Sequence, residues 1–369
     1  MTLCLNMIVK NEAARIERCL ASVAPWISHY AILDTGSTDD TCDQIKAFFN
    51  ERGIKGDMAL SEFVNFGHTR NVGLDFARDR GIGDYLLLMD ADMELVVDDP
   101  AWVNDLTAPA YKLMQRNGTL SYYNVRLLRR DVPARYVGAT HEYLPVDGAC
   151  PNLDGAWFRD HGDGANREGK FDRDAALLRG EIQPTDRAWF YLGQSLRDKG
   201  DKAGAAHAYG VRASLGGWPE EEWRARLEQA RVMRDLGDEC WIGKMLDTYA
   251  ARPTRAEPLF DLANHYRLRG DNLTSLLFSE AGLALPKPDD ILFLEDDVYR
   301  WKLAEEFSIC GFYSERHQER ARKVCNNLAL NRDAPPGPRS LAWSNLFFYA
   351  RPLSELAPSF QATQIDFTP

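Results

Sequence analysis

Asp90, Ala91 and Asp92 follow directly on the apolar run Tyr85–Met89, and Glu94 stands just beyond. A carboxylate beside a core is costly unless something cationic or a hydrogen-bond donor meets it. Side chains alternate along an extended backbone, so Asp-x-Asp at a strand end aims two carboxylates to one side. Such oxygen ligands suit a hard divalent cation, Mn2+ or Mg2+. An ion held there can neutralise a diphosphate as it leaves. A solvated acidic turn is the competing reading of the same residues. Asp34 ends another apolar run, and Arg70, Glu142 and His161 are further groups with chemical capacity.

The frame that would position them is legible upstream. Leu3–Val9, Tyr30–Leu33 and Tyr85–Met89 read as short buried strands, and Met58–Leu60 as a weaker one. Between them, Ile16, Cys19, Leu20 and Val23 recur at helical spacing within Glu12–Val23. Ile45, Phe48 and Phe49 stripe a second helix, opened by Ser37 or Thr38 as cap and ended by Gly53. Thr69–Arg80 is a third, closed by Gly81. Alternating strands and helices predict an α/β domain with a mainly parallel sheet, Rossmann-like in pattern. Ligands of such sheets collect at the carboxyl ends of the strands, where Asp34 and the Asp90/Asp92 pair fall. Ser121–Leu128 predicts another strand, Arg135–Leu144 is irregular with strand character, and His161–Gly164 is a loop. Its glycines allow a lid over a ligand or a plain turn.

From about residue 168 the pattern becomes helical and repetitive. Gly-Asp occurs at 200–201, 237–238 and 270–271, at spacings of 37 and 33 residues. Trp189-x2-Leu192-Gly193-x2-Leu196 and Leu259-x2-Leu262-Ala263-x2-Tyr266 match each other, while the middle copy is poor. This predicts a degenerate array of helix–turn–helix units of tetratricopeptide (TPR) type, with a non-repetitive helical bundle as the alternative. A Pro-rich break at Ala334–Arg339 separates a tail. The predicted domains are 1–167, 168–333 and a tail over 334–369.

The net charge is −11, of which −8 lies in residues 1–165. That disfavours a duplex nucleic acid as partner without excluding it, and it leaves room for a divalent cation in the N-terminal domain. Seven dispersed cysteines without a CxxC pair predict a reduced, cytoplasmic protein with no disulfide framework. The sequence predicts no signal peptide and no transmembrane helix.

Four stretches in order carry a resemblance: Leu3–Glu12 (LCLNMIVKNE), Ala31–Thr41 (AILDTGSTDDT), Phe66–Leu74 (FGHTRNVGL) and Leu86–Leu95 (LLLMDADMEL). Together they resemble the family 2 glycosyltransferases, inverting enzymes with a GT-A fold. His141-Glu142 and the loop around His161 resemble a subgroup in which TPR repeats follow the catalytic domain, including bacterial transferases that put sugar on peptides. The resemblance implies that Met7, Val9 and Asn11 lie against a nucleobase and that Asp34 accepts a hydrogen bond from it. Thr35 stands where the family often has a second Asp. Arg70 is implied to approach the diphosphate, Asp90 the ribose or donor sugar, and Asp92 the metal, with His161 completing the metal shell. Glu142 is implied as the base that deprotonates the acceptor, with Asp160 and Asp163 as rivals. His141 is a ligand, an orienting residue or a structural one. From the residues alone, Asp34 can equally open an Asx turn, Arg70 can lie on a surface, Glu94 can be solvated, and His161 can be an ordinary loop histidine.

The expectation is therefore a metal-dependent inverting transferase taking sugar from a nucleotide-diphospho-sugar, UDP-linked, to a peptide, saccharide or other hydroxyl-bearing acceptor. The helical repeats would position that acceptor or mediate a homodimer. A phosphatase of haloacid dehalogenase type also uses strand-end Asp-x-Asp, but after an early strand and followed by Thr or Val. Here the pair follows the fourth strand and Glu94 fills that place. An interaction scaffold with a relict nucleotide-binding domain is the non-enzymatic alternative.

Overall fold

The computed structural model describes residues 1–118, 120–164, 169–181 and 185–350. Cα packing divides the chain into two units, Met1–Ser195 and a second beginning at Leu196.

The first unit is built on eight strands: β1 (Leu3–Val9), β2 (His29–Asp34), β3 (Lys55–Leu60), β4 (Tyr85–Leu88), β5 (Met93–Val97), β6 (Ala110–Asn117), β7 (Leu120–Arg129) and β8 (Asn152–Asp160). Their order across the sheet is β3-β2-β1-β4-β7-β6-β8-β5. The first four pair in parallel, as the alternation predicted. The rest does not: β7 runs antiparallel to β4 and to β6, and β5 antiparallel to β8, while β6 and β8 are parallel. The sheet is mixed because β6 and β7 are joined by a link too short for a crossover, which forces a hairpin.

Both faces of the sheet are covered. Leu3, Leu5, Met7 and Val9 of β1 join one apolar cluster, which includes Ile16, Leu20, Phe49, Leu87 and Phe158. Cys4, facing the other way, joins Leu74, Leu86 and Leu128. Helix α1 (Ile16–Val23) starts four residues later than the Glu12 start predicted, because the Glu12 carbonyl already accepts from Arg15 N and Ile16 N in a turn. Helix α2 spans Thr41–Arg52 and ends at Gly53 in the left-handed region, φ 64°. Ser37 and Thr38 do not cap it. Ser37 Oγ accepts from Asn11 N at 2.9 Å, and Thr38 N donates to Asn11 Oδ1 at 2.7 Å. Helix α3 (Phe66–Asp79) is capped by Asn65, whose side chain accepts from His68 N at 2.8 Å. Asn6, on the buried underside of β1, donates to the Gly73 carbonyl at 2.9 Å and so pins α3 to the sheet.

Helix α4 (Lys170–Arg179) and most of α5 (Asp186–Lys199) belong to this first unit, so the packing boundary lies well beyond 167/168. The reason is contact with the sheet's loops. Arg173 lies 5.5 Å from the Phe66 ring, Glu181 accepts from Ala139 N at 2.9 Å, and His141 stacks on Tyr191 at 4.1 Å.

The second unit continues with α6 (Lys202–Ser214), α7 (Pro219–Leu236), α8 (Trp241–Ala251), α9 (Glu257–Leu268), α10 (Asn272–Leu283), α11 (Leu303–Cys310), α12 (Gln318–Leu330) and α13 (Pro336–Tyr349). The three Gly-Asp pairs are helix-hairpin turns. Gly200, Gly237 and Gly270 all have positive φ. Asp201 and Asp271 cap the following helices, accepting from Gly204 N and Thr274 N. Asp238 instead accepts from Cys240 N, and α8 begins without a side-chain cap; the middle copy also has Arg226 and Gln229 where the others have Trp189 and Leu192 or Leu259 and Leu262. The expected tail opens with α13, which packs on α12 through Cys325, Leu328, Ala334 and Ala342. Its last part, 351–369, lies outside the described residues. No described helix is long and apolar enough to cross a membrane.

Candidate active site

A cleft of about 500 Å³ opens at the carboxyl ends of β1, β2 and β4. Ile8, Val9 and Lys10 line it from β1, Thr35 from the end of β2, Arg70 from α3, and Asp90 and Asp92 from the end of β4. Asp160, at the end of β8, lines it from the opposite half of the sheet.

Asp90 and Asp92 are not in extended backbone. They sit in a turn closed by Met93 N donating to the Asp90 carbonyl at 3.1 Å, which leads β4 into β5. The two carboxylates therefore have different surroundings within one cleft. Asp90 accepts from Arg70 Nη2 at 2.5 Å and from Arg126 Nη1 at 3.5 Å. Burial alone would raise its pKa, but the two guanidinium groups hold it below the usual carboxylate range. Arg126 is itself fixed by Gln115 Oε1, at 2.8 and 3.1 Å.

Asp92 goes the other way. Burial raises its pKa first, and the charges of Asp90 and Asp160 raise it further. Among the described residues it has no ion-pair partner. Gly164 approaches so closely that a Cβ there would stand 3.0 Å from Asp92 Oδ2. A carboxylate pushed up by two neighbouring carboxylates in an open cleft has the donor chemistry for a hard cation. Asp92 and Asp160 are the two cleft carboxylates that would offer oxygen ligands to such an ion.

His161 does not fit that role. Its Nε2 is 3.1 Å from Glu94 Oε2, which also takes Arg159 Nη1 at 3.2 Å. Only its backbone meets Asp92, donating to that carbonyl at 3.2 Å. Among the described residues, no group of three or more His, Cys, Asp or Glu side chains is gathered to hold a metal. Asp163 is turned away onto Arg18, at 2.8 and 3.1 Å.

Glu142 reaches the site through Arg70, whose Nε donates to Glu142 Oε1 at 2.5 Å. It is not itself on the cleft wall. Burial alone would disfavour the Arg70 charge, yet Asp90 and Glu142 hold it firmly protonated. The loop carrying Glu142 is closed by Val137 and Tyr143 in a two-way backbone pairing. It docks on α3, where Phe66 N donates to the Ala139 carbonyl at 2.9 Å. Gly67 makes that approach, since a Cβ there would lie 2.3 Å from the Gly138 carbonyl oxygen. His141 has φ 51°, a left-handed conformation held by its stack on Tyr191.

The residues expected at a nucleobase are only partly placed for it. Val9 lines the cleft. Met7 does not: its side chain is 1% exposed, inside the core. It shares its face of β1 with Leu3, Leu5 and Val9, but it lies two residues short of the strand's carboxyl end and is covered by the core where Val9 reaches the cleft. Asn11 is spent on Ser37 and Thr38, bracing the β1–α1 and β2–α2 loops. Asp34 forms the Asx turn weighed as its alternative, accepting from Gly36 N at 3.2 Å and Ser37 N at 3.1 Å.

Sequence reasoning missed Arg126, Gln115 and the aromatic pair Phe63 and Phe66, whose rings meet edge-on at 5.1 Å on the cleft wall. Arg126 carried a signal: a lone charge inside Val125–Leu128 obeys the same logic as Asp90.

Residues 4–139, all within the first unit, match the family model described as glycosyl transferase family 2. A TPR repeat-containing protein of Synechococcus elongatus is 37% identical over 99 residues, covering 27% of this chain and 22% of that one. The SPbeta prophage-derived glycosyltransferase SunS of Bacillus subtilis is 34% identical over 91 residues, covering 25% and 20%. The chain thus spans about a fifth of the length of these curated relatives. Among solved structures, Staphylococcus aureus TarS aligns with 13% identity and a TM-score of 0.36, covering 68% of this chain and 54% of TarS. MamA of Desulfovibrio magneticus aligns at 13% and 0.34, covering 46% and 90%.

Proposed function

We propose that this chain, from its family 2 domain, transfers a sugar from a nucleotide-diphospho-sugar, UDP-linked, to a hydroxyl-bearing acceptor such as a peptide or saccharide. The observation that carries this reading is the Arg70 bridge. Within a cleft at the strand ends, one guanidinium joins Asp90 to Glu142, whose loop lies 72 residues away in sequence.

The donor would lie along the carboxyl ends of β1, β2 and β4. Thr35, Val9 and Lys10 form the wall on its nucleotide side. Asp34 reads the base in this scheme only through the oxygen lone pairs its own turn leaves unused. Asp90, anchored by Arg70 and Arg126, is a fixed acceptor for sugar or ribose hydroxyls. Asp92 and Asp160 would hold a divalent cation, which supplies charge neutralisation for the departing diphosphate. Glu142 takes the acceptor proton in this scheme. Arg70 fixes its Oε1, so Oε2 is the oxygen that receives the proton, and inversion follows from attack opposite the leaving group. Glu142 stands behind Arg70, and catalytic hydrogen bonds commonly tighten once substrate binds. The helical unit is assigned to acceptor docking or to pairing of two copies.

The test is a thermal-shift panel of sugar-nucleotides with and without Mn2+, followed by donor hydrolysis without acceptor. A donor raises the melting temperature by mass action, Mn2+ enhances the effect, and Asp92→Ala removes the enhancement. If no sugar-nucleotide shifted the protein or was hydrolysed, the assignment would fall.

A further inference from the structure

The chain between α10 and α11 does something unusual for a helix connection. Residues 288–296 (PDDILFLED) run against α7 and the connection between α8 and α9, all in the second unit. They are held there by charge and by main-chain hydrogen bonds. Arg252 donates twice to the Asp290 carboxylate, at 2.8 and 2.5 Å, and Arg255 adds a third bond at 2.9 Å. Five residues on, Arg231 donates twice to Glu295, at 2.5 and 3.0 Å, and Arg224 once at 2.8 Å.

The backbone between these anchors is read as well. Glu220 of α7 accepts from both Ile291 N and Leu292 N, at 2.9 and 2.8 Å. Arg224 donates to the Phe293 carbonyl at 3.1 Å. Meanwhile the apolar side chains that would anchor a core segment look outward: Ile291 is 81% exposed and Phe293 43%. A segment bound through two carboxylates and its backbone, with Ile291 and Phe293 exposed and Leu292 and Leu294 only half-buried, has the pattern of a docked peptide rather than of a packed core.

We propose that this face of the helical unit is a receptor for an extended acidic peptide carrying two carboxylates five residues apart, and that residues 288–296 are its resident occupant. An incoming partner must then displace the strap, which lowers its apparent affinity by the fraction of time the face is open. This stands apart from the transferase reading and uses none of the cleft residues.

The experiment replaces residues 288–296 in the full chain by a Gly/Ser linker of equal length and titrates the labelled peptide PDDILFLED by fluorescence anisotropy. The linker variant should bind the peptide, the unmodified chain about tenfold or more weakly. The peptide with Asp290→Asn and Glu295→Gln should also bind about tenfold or more weakly. A second measurement is native-state hydrogen exchange of the Ile291 and Leu292 amides, which should exchange far faster than the amides of α7 and α9. A folded linker variant that ignores the peptide overturns the proposal. So does loss of its helical circular dichroism, or exchange of the two strap amides only with global unfolding, since the strap is then part of the core.

Discussion

Arg70 Nε and Glu142 Oε1 lie 2.5 Å apart across 72 residues of sequence, and the other end of the same guanidinium holds Asp90 at 2.5 Å. One side chain therefore fixes the spacing between the turn after β4 and the loop 137–143. In the proposed reaction these sit on the donor and acceptor sides of the anomeric carbon.

Glu142→Gln keeps the shape and a hydrogen-bonding oxygen for Arg70 but cannot accept a proton. We expect turnover to fall by about 10²–10⁴-fold with donor affinity nearly unchanged. Asp160→Asn should show the opposite split, a weakened Mn2+ response with a smaller loss at saturating metal. Single-turnover kinetics with a metal titration separates the two. Near-normal turnover in Glu142→Gln would move the base assignment to Asp160.

The two acids of the turn should leave opposite marks on the pH dependence of stability. Asp92 has a folded-state pKa raised by burial and then by Asp90 and Asp160. A raised carboxylate favours the folded state below its unfolded pKa, and that advantage is lost as pH rises through the folded value. Asp90 is held low by Arg70 and Arg126 against burial, so its contribution is present above the unfolded pKa and lost as pH falls through the folded one. Asp92→Asn should therefore stabilise the protein at pH 7 and not at pH 3. The relief of repulsion from Asp90 and Asp160 reads as a rise in Tm at pH 7. Mn2+ should raise Tm in the unmodified protein and not in this variant. Melting curves at the two pH values, with and without Mn2+, check both.

Gly67→Ala tests the docking of the Glu142 loop from a distance. The added methyl would stand 2.3 Å from a backbone oxygen, so the loop must move. Overpacking of this kind costs about 1–3 kcal/mol. A shift of about 1 Å in Glu142 should lower transfer by about 10²-fold. Urea denaturation and steady-state kinetics measure the two effects. Activity that stayed normal would mean the loop position does not matter.

Met7→Ala distinguishes a core role from a ligand role. Its side chain is buried among β1, α1 and the sheet, so truncation should cost about 2–5 kcal/mol. Nucleotide affinity of the remaining folded protein should stay within twofold or so of normal, because no contact is lost. A large drop in affinity at full folding would restore Met7 to the base pocket.

How far the sequence reached depends on what kind of signal each element carried. β1, β2 and β4 are short apolar runs buried on both faces, and such runs are legible without context. β6 and β8 are half-buried and carry Lys112, Gln115, Arg116, Asp154 and Arg159, so their burial depends on partners distant in sequence. β5 was hidden behind the acids that precede it. Asp90 was legible because a charge ending an apolar run requires an explanation. Its partner Arg126 was equally out of place, but the pairing of β4 with β7 that brings it near is a tertiary fact. Met7 shows the opposite case: family position suggested a contact, but the side chain is buried one turn of the pleat deeper in the core than Val9, which shares its face and does reach the cleft. His161 and Glu94 lie 67 residues apart and meet only because β5 and β8 are paired, so no local pattern could have removed His161 from the metal shell.

That last pairing also governs how the chain can change length. Met93 stands opposite Asp160 in the ladder between β5 and β8, so Asp92 and Asp160 are neighbours by backbone register and not by loop placement. Because faces alternate residue by residue, deleting one residue from edge strand β5 or from its neighbour β8 would shift this register and separate the two acids. The segment 98–109 that follows is tied in as well, through buried Trp102 and Leu106 and through Asp98 and Asp99, whose amides donate to the Gly155 carbonyl of β8.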